Sequence, residues 1–242
     1  MKKSVYLILI LLLVHTDCSN NLMDNDDVFL QTFLEKLDHY QCDATDAILY
    51  PEFWTSEERE AFVVSAETIN SMSTCGLLLT LLEYPDNRLL GPWSSTNSNL
   101  LTPGVTDFNN KLRMDKIAVE LFERIDCFPV LSSEYLEIIN EKMKEYSAQT
   151  AYFEMLLASD MCMSALNAGE KNQLMALALQ MKRSEGAFFC SPYIMIAIMK
   201  SCNYAPFMKE INPYLVEMTF GYNNLDDYDI LKYAKKFLKE QK

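Results

Sequence analysis

Turn-forming residues are what this sequence has least of: 6 glycines and 8 prolines in 242 residues. Folds built from many short strands place turn signals every 8–12 residues or so. This scarcity therefore excludes a many-stranded sandwich or barrel, and the abundance of Leu, Met, Glu and Lys favours long helices instead. Histidine is almost absent as well, and after the first stretch only His39 remains. It sits among Leu37, Asp38 and Tyr40 on a predicted helix, where a partly exposed helical histidine is the expected role. A lone histidine cannot supply the HExxH pair or a His-rich metal set. The chain has no P-loop, no GxGxxG, no CxxC and no Cys/His cluster. Structural zinc, thioredoxin-type exchange and nucleotide binding thus have no motif to rest on. From sequence we assign no catalytic residue, no metal ligand and no cofactor.

Positive charge is also in short supply, with 21 Lys and Arg against 34 Asp and Glu, a net charge of −13. A chain this acidic is repelled by phosphate backbones, which argues against nucleic acid as a partner, and by anionic lipid surfaces for the same reason.

Only one long aliphatic run is present, Val5 to Val14, preceded by Lys2 and Lys3 and followed at once by His15, Thr16 and Asp17. That is the layout of a secretory signal peptide. The run is well short of the roughly 20 apolar residues that cross a bilayer. The most apolar later stretch, Ala187 to Met199, is also too short and contains Pro192. No transmembrane helix is expected in the mature chain. The expected organisation is a signal peptide over 1–18, an acidic polar linker over 19–27, and one helical domain over 28–242 with a long loop at 85–106. The expected location is the periplasm or cell surface of a bacterium, and the lack of any Asn-x-Ser/Thr sequon fits it.

Cys18 stands where a bacterial lipoprotein carries its acylated cysteine, but His15-Thr16-Asp17 departs from the small-residue pattern that should precede it. Two readings stay open, a lipid anchor on Cys18 and soluble secretion. Six further cysteines, Cys42, Cys75, Cys127, Cys162, Cys190 and Cys202, are scattered through a domain large enough to hold itself together. Free, buried thiols are the favoured reading, and at least one disulfide is the other. Six cysteines allow about fifteen pairings, which sequence cannot rank.

Helical spacing covers most of the rest. Phe29, Phe33, Leu37 and Tyr40 form one face of a first helix. Thr55-Ser56-Glu57-Glu58 reads as a capping box that opens a second, running to about Ser71, with Trp54 as a staple just before it. Thr74 to Tyr84 is apolar all round, as a helix at the centre of a core should be; its Gly76 predicts the close approach of a neighbouring helix. Pro85 to Thr106 reads as a loop, with Gly91-Pro92-Trp93 and Pro103-Gly104. One helix is then expected from Asp107 to about Asp126, with Phe108, Leu112, Ala118, Leu121, Phe122 and Ile125 on its buried face. Others are expected over Ser133–Tyr146 and Ala151–Leu166. Asn167 to Glu170 reads as a cap opening a helix to Arg183. The last three cover Pro192–Ser201, Phe207–Phe220 and Leu225–Leu238, the last with Ile230, Leu231, Ala234, Phe237 and Leu238 inward. The predicted fold is all-α, roughly nine to ten helices in an irregular helical array or orthogonal bundle.

Three segments, in this order, carry a resemblance. They are Ser71-Met72-Ser73-Thr74-Cys75-Gly76-Leu77-Leu78-Leu79-Thr80-Leu81-Leu82-Glu83-Tyr84-Pro85; then Phe108-Asn109-Asn110 leading into Glu120-Leu121-Phe122-Glu123-Arg124-Ile125-Asp126; then Tyr152-Phe153-Glu154-Met155-Leu156-Leu157-Ala158-Ser159-Asp160 with the helix opening at Gly169-Glu170. Over residues 60–205 the chain resembles a family of exported, all-helical proteins of Bacteroides-type bacteria. The resemblance implies a helical fold and an envelope location. It implies no activity and no site residue.

What remains is binding. Trp93 stands on a polar loop, where an aromatic ring can stack on a ligand or anchor a partner; folding back onto the core is its other expected role. The methionines Met155, Met161, Met163, Met175, Met181, Met195 and Met199 are expected to fill the core rather than line a groove. The expected function is a non-enzymatic binding or scaffold role in the cell envelope, toward a protein or extracellular ligand. The alternative is an enzyme with a carboxylate-based site.

Overall fold

Capping side chains set several of the helix starts in this protein. The computed structural model describes residues 45–48, 63–82, 105–141, 148–180, 191–210 and 227–241, all within the unit Leu37–Lys242. The described residues form eleven helices and no strand. These are α1 (Ala66–Ser71), α2 (Thr74–Leu82), α3 (Val105–Met114), α4 (Lys116–Glu123), α5 (Cys127–Glu141), α6 (Ala148–Leu157), α7 (Asp160–Ala165), α8 (Ala168–Gln180), α9 (Ser191–Ser201), α10 (Ala205–Met208) and α11 (Asp227–Glu240). The expected all-α fold is what is found. The predicted first helix with His39, the capping box after Trp54, and all of the expected loop at 85–106 except its last two residues lie outside the described residues; residues 105 and 106 already belong to α3.

Three predicted helices are each broken by a side chain that competes for backbone amides. The helix expected to run unbroken to Ser71 is interrupted. Residues 63–65 are not helical, and Ser65 caps α1 by accepting the Thr68 amide at 3.1 Å. Asp115 splits the helix expected from Asp107 to Asp126, its Oδ1 accepting the amides of Ile117 at 2.8 Å and Ala118 at 3.0 Å. Ser159 likewise splits Ala151–Leu166, accepting the Cys162 amide at 3.1 Å. In each case a short polar side chain offers the backbone a capped restart that competes with helix continuation. Helix α5 starts six residues before the expected Ser133. Pro129 is accommodated there because first-turn amides have no intrahelical partner. The capping box at Asn167 is present and reciprocal: the Glu170 amide donates to Asn167 at 3.0 Å and the Asn167 amide donates to Glu170 at 2.8 Å. Helix α9 ends in a Schellman turn with Asn203 at φ 48°, Tyr204 N reaching back to Met199 O at 2.9 Å and Asn203 N to Lys200 O at 2.8 Å. Asn is one of the few side chains that tolerate this left-handed position.

The helices pack as two groups joined by a bridge. Helix α2 packs chiefly on α4, and α8, α9 and α11 pack on one another. Helices α5 and α6 touch both groups, α5 through α2 and α8, and α6 through α2 and α9. Leu77, Leu78 and Leu81 of α2 are buried, as its all-apolar sequence requires. Of the residues expected inward on α11, Ile230, Ala234 and Phe237 are buried while Leu231 and Leu238 are half-buried, and Phe237 meets Tyr204 edge-on at 5.2 Å. Each fully buried Phe, Leu or Met contributes about 1.5–3 kcal/mol over exposure. Met155, Met163, Met175, Met195 and Met199 are core filler. Ile125, expected on the buried face, is instead 102% exposed: α4 ends at Glu123, so its periodicity no longer governs residue 125.

Gly76 also has a different cause from the one predicted. The atoms nearest to a side chain placed there belong to Asp46 and Ser73. A methyl group there would overlap the Asp46 carboxylate. That carboxylate accepts the Ser73 amide at 2.5 Å and the Ser73 hydroxyl at 2.8 Å, while Ser73 Oγ accepts the Gly76 amide at 2.9 Å. The start of α2 is thus capped in relay by its own serine and by a distant aspartate. Ile48 N adds a bond to Thr80 Oγ1 at 2.9 Å. The cysteines fall into both predicted states. Cys75 is disulfide-bonded, whereas Cys127 and Cys162 are free and buried and Cys202 is free and exposed.

Candidate functional site

Helix α7 is six residues long and is held at its N-terminus by α3. Asn109 and Arg113, one turn apart on α3, both grip Asp160. The buried Asn109 accepts its amide at 2.9 Å, and Arg113 Nη2 donates to its carboxylate at 3.1 Å. Helix α4 runs alongside, started by Asp115. The raised pKa of Asp115 reflects burial first, opposed by the amides of Ala118 and Ile117 that it accepts. The amides hold the carboxylate in place and burial sets its cost, so Asp115 serves as a structural joint between α3 and α4.

Between α4 and α7 lies an open cleft of about 350 Å³, lined by Arg113, Val119, Phe122, Glu123, Asp160, Met161, Ser164 and Ala165. The volume is at the low end of the roughly 300–1,000 Å³ usual for ligand pockets. Val119, Phe122 and Glu123 stand at i, i+3, i+4 on α4, one stripe of one turn. Asp160, Met161, Ser164 and Ala165 form the facing stripe on α7. The floor is apolar. Its charged groups sit at two ends, because Arg113 and Asp160 lie where α4 begins and Glu123 where α4 stops. The lining stripe on α4, Val119 to Glu123, covers about 6 Å at 1.5 Å per residue.

The three charges differ in their partners. Arg113 and Asp160 neutralise each other, with side chains 56% and 59% exposed, so water screens the pair and it contributes little to stability. Glu123 is exposed and has no ion pair among the described residues. The neighbouring cation, Arg124, is committed elsewhere: its Nε lies 2.8 Å from Glu120 in an ion pair rather than a hydrogen bond, and its Nη2 donates to Asn70 O at 3.2 Å. The Ser164 hydroxyl donates to Asp160 O at 2.7 Å.

A second polar cluster is sealed. Glu154 is 0% exposed and accepts the Tyr135 hydroxyl at 2.8 Å, tying α6 to α5. Tyr152 is also buried, and burial, then the charge of Asp115, pushes its phenol far up. Neither group can meet a solute. Among the described residues, no group of three or more His, Cys, Asp or Glu side chains is placed to share a metal ion.

The two site residues expected from sequence, Trp93 for ligand binding and Cys18 for lipidation, lie outside the described residues. Arg113, Glu123 and Asp160 were not singled out from sequence. The signal was partly there, in the Ser159-Asp160 helix start and the stripe Val119-Phe122-Glu123, but nothing local says that the two stripes face each other. Met161 alone of the described methionines in the expected core set lines the cleft. No family model, no curated protein and no solved structure matches this chain.

Proposed function

We propose that this chain is a non-enzymatic binding protein of the bacterial envelope and that the cleft between α4 and α7 is its ligand site. The observation that carries the reading is the combination of an open apolar floor with charged groups at its two ends. Binding sites pair apolar area with a few placed polar groups in this way. The envelope location rests on the signal-peptide pattern before Cys18. The alternative, a carboxylate-based enzyme, has Glu123 and Asp160 as its available pair. Both are open to water, and Asp160 is already held by Arg113.

The test is selection from a random displayed peptide library on the immobilised mature chain. Binders recovered on the wild type should lose at least about tenfold in affinity for Ser164→Trp, which fills the cleft from an exposed position, with an unchanged thermal midpoint. Binders that keep full affinity for Ser164→Trp would place the binding surface elsewhere.

A further inference from the structure

The charge layout of the cleft carries the reading one step further, to the kind of ligand. Of the three charged lining residues, Arg113 and Asp160 hold each other, and Glu123 has no ion partner among the described residues. Glu123 is also the last residue of α4, whose C-terminal carbonyls carry partial negative charge. Both effects favour a cation at that end. The Arg113–Asp160 end is neutralised and favours neither sign. Between the ends lie Val119, Phe122, Met161 and Ala165, a floor for an apolar group. The lining stripe on α4, Val119 to Glu123, spans about 6 Å, close to two residues of extended chain at roughly 3.3 Å each.

Resting on the proposed binding role, we propose that the cleft takes an extended polypeptide segment that lays a bulky apolar side chain on Phe122 and Met161 and places a Lys or Arg against Glu123. In an extended chain, side chains two positions apart lie on one face, so an apolar residue and a Lys or Arg at i, i+2 match that stripe in an open groove. The adaptable thioether of Met161 suits a floor that accepts more than one apolar side chain. The excess negative charge of the whole protein speeds encounter with such a basic partner.

Fluorescence anisotropy with labelled peptides Gly-Phe-Gly-Lys-Gly and Gly-Phe-Gly-Glu-Gly decides the matter. The lysine peptide should bind at least about fivefold tighter than its glutamate twin at low ionic strength, with the gap narrowing as salt screens the pair. Glu123→Gln should abolish the preference and Glu123→Lys should invert it, while both variants keep the wild-type melting curve. A preference for the glutamate peptide, or a lysine preference that survives Glu123→Gln, overturns the ligand class. If the binding that remains is still lost in Ser164→Trp, the cleft stands as the site and only its ligand was misread. If neither peptide binds, or Ser164→Trp changes nothing, the cleft itself fails as a site.

Discussion

Helix α7 has two faces with opposite fates. Met161, Ser164 and Ala165 look onto the open cleft, while Cys162, Met163 and Leu166 are buried. The charged groups divide the same way across the molecule. Asp160 and Glu123 stand at the cleft in contact with water, whereas Glu154 is sealed between α5 and α6 against Tyr135. The difference teaches where carboxylates matter for what. A buried carboxylate is held by its hydrogen bonds and governs stability. An exposed one contributes almost nothing to stability and is free to meet a partner.

The largest contrast should be in thiol chemistry. Desolvation, then Asp126 and Glu170, pushes Cys127 up to about 12. Burial likewise raises Cys162 well above its ordinary value, helped by Cys127 and Glu170 and opposed by Lys171. The thiolate is the reactive form. Native protein should therefore react with iodoacetamide at Cys202 orders of magnitude faster than at Cys127 or Cys162, as read by peptide mass mapping. The sign follows: both folded values are raised, so the stability of the buried neutral Cys127 thiol is complete below the ordinary 9.0 and is lost as pH climbs toward about 12. Rapid labelling of Cys162 at neutral pH would show that α7 opens on its sealed side too.

The next effect is on the sealed carboxylate. Tyr135→Phe removes a donor from Glu154 and should cost about 1–3 kcal/mol in chemical denaturation. It should leave peptide affinity unchanged, because neither residue lines the cleft. A loss of affinity would mean that the sealed and open regions are coupled. The smallest effect is expected at the mouth of the cleft. Arg113→Ala should lower stability by no more than about 0.5 kcal/mol, since its pair with Asp160 is more than half exposed. A larger loss would show that Arg113 holds α7 in place together with Asn109, and that the cleft depends on the clamp.

Much of the fold was legible because helices announce themselves locally. The capping box at Asn167 and the Ile230, Ala234, Phe237 stripe follow from neighbours within a turn or two. Breaks at Ser65, Asp115 and Ser159 were not read from the same patterns. A capping side chain in mid-helix is also an ordinary surface residue, and only the neighbouring packing decides which it becomes. The site was far less legible. Arg113 meets Asp160 across 47 residues of sequence, and Asp46 meets Ser73 across 27.

By itself the sequence determined a helical chain, the capping box at Asn167 and most of its core faces, since each depends on residues a few positions apart. Tertiary structure alone decided that Gly76 makes room for the Asp46 carboxylate, that Cys75 is oxidised while Cys127 and Cys162 are not, and that the stripes of α4 and α7 face each other across a gap. Those outcomes depend on which distant surfaces meet. Helical periodicity fixes the direction in which a side chain points along its own helix, and leaves open what stands opposite.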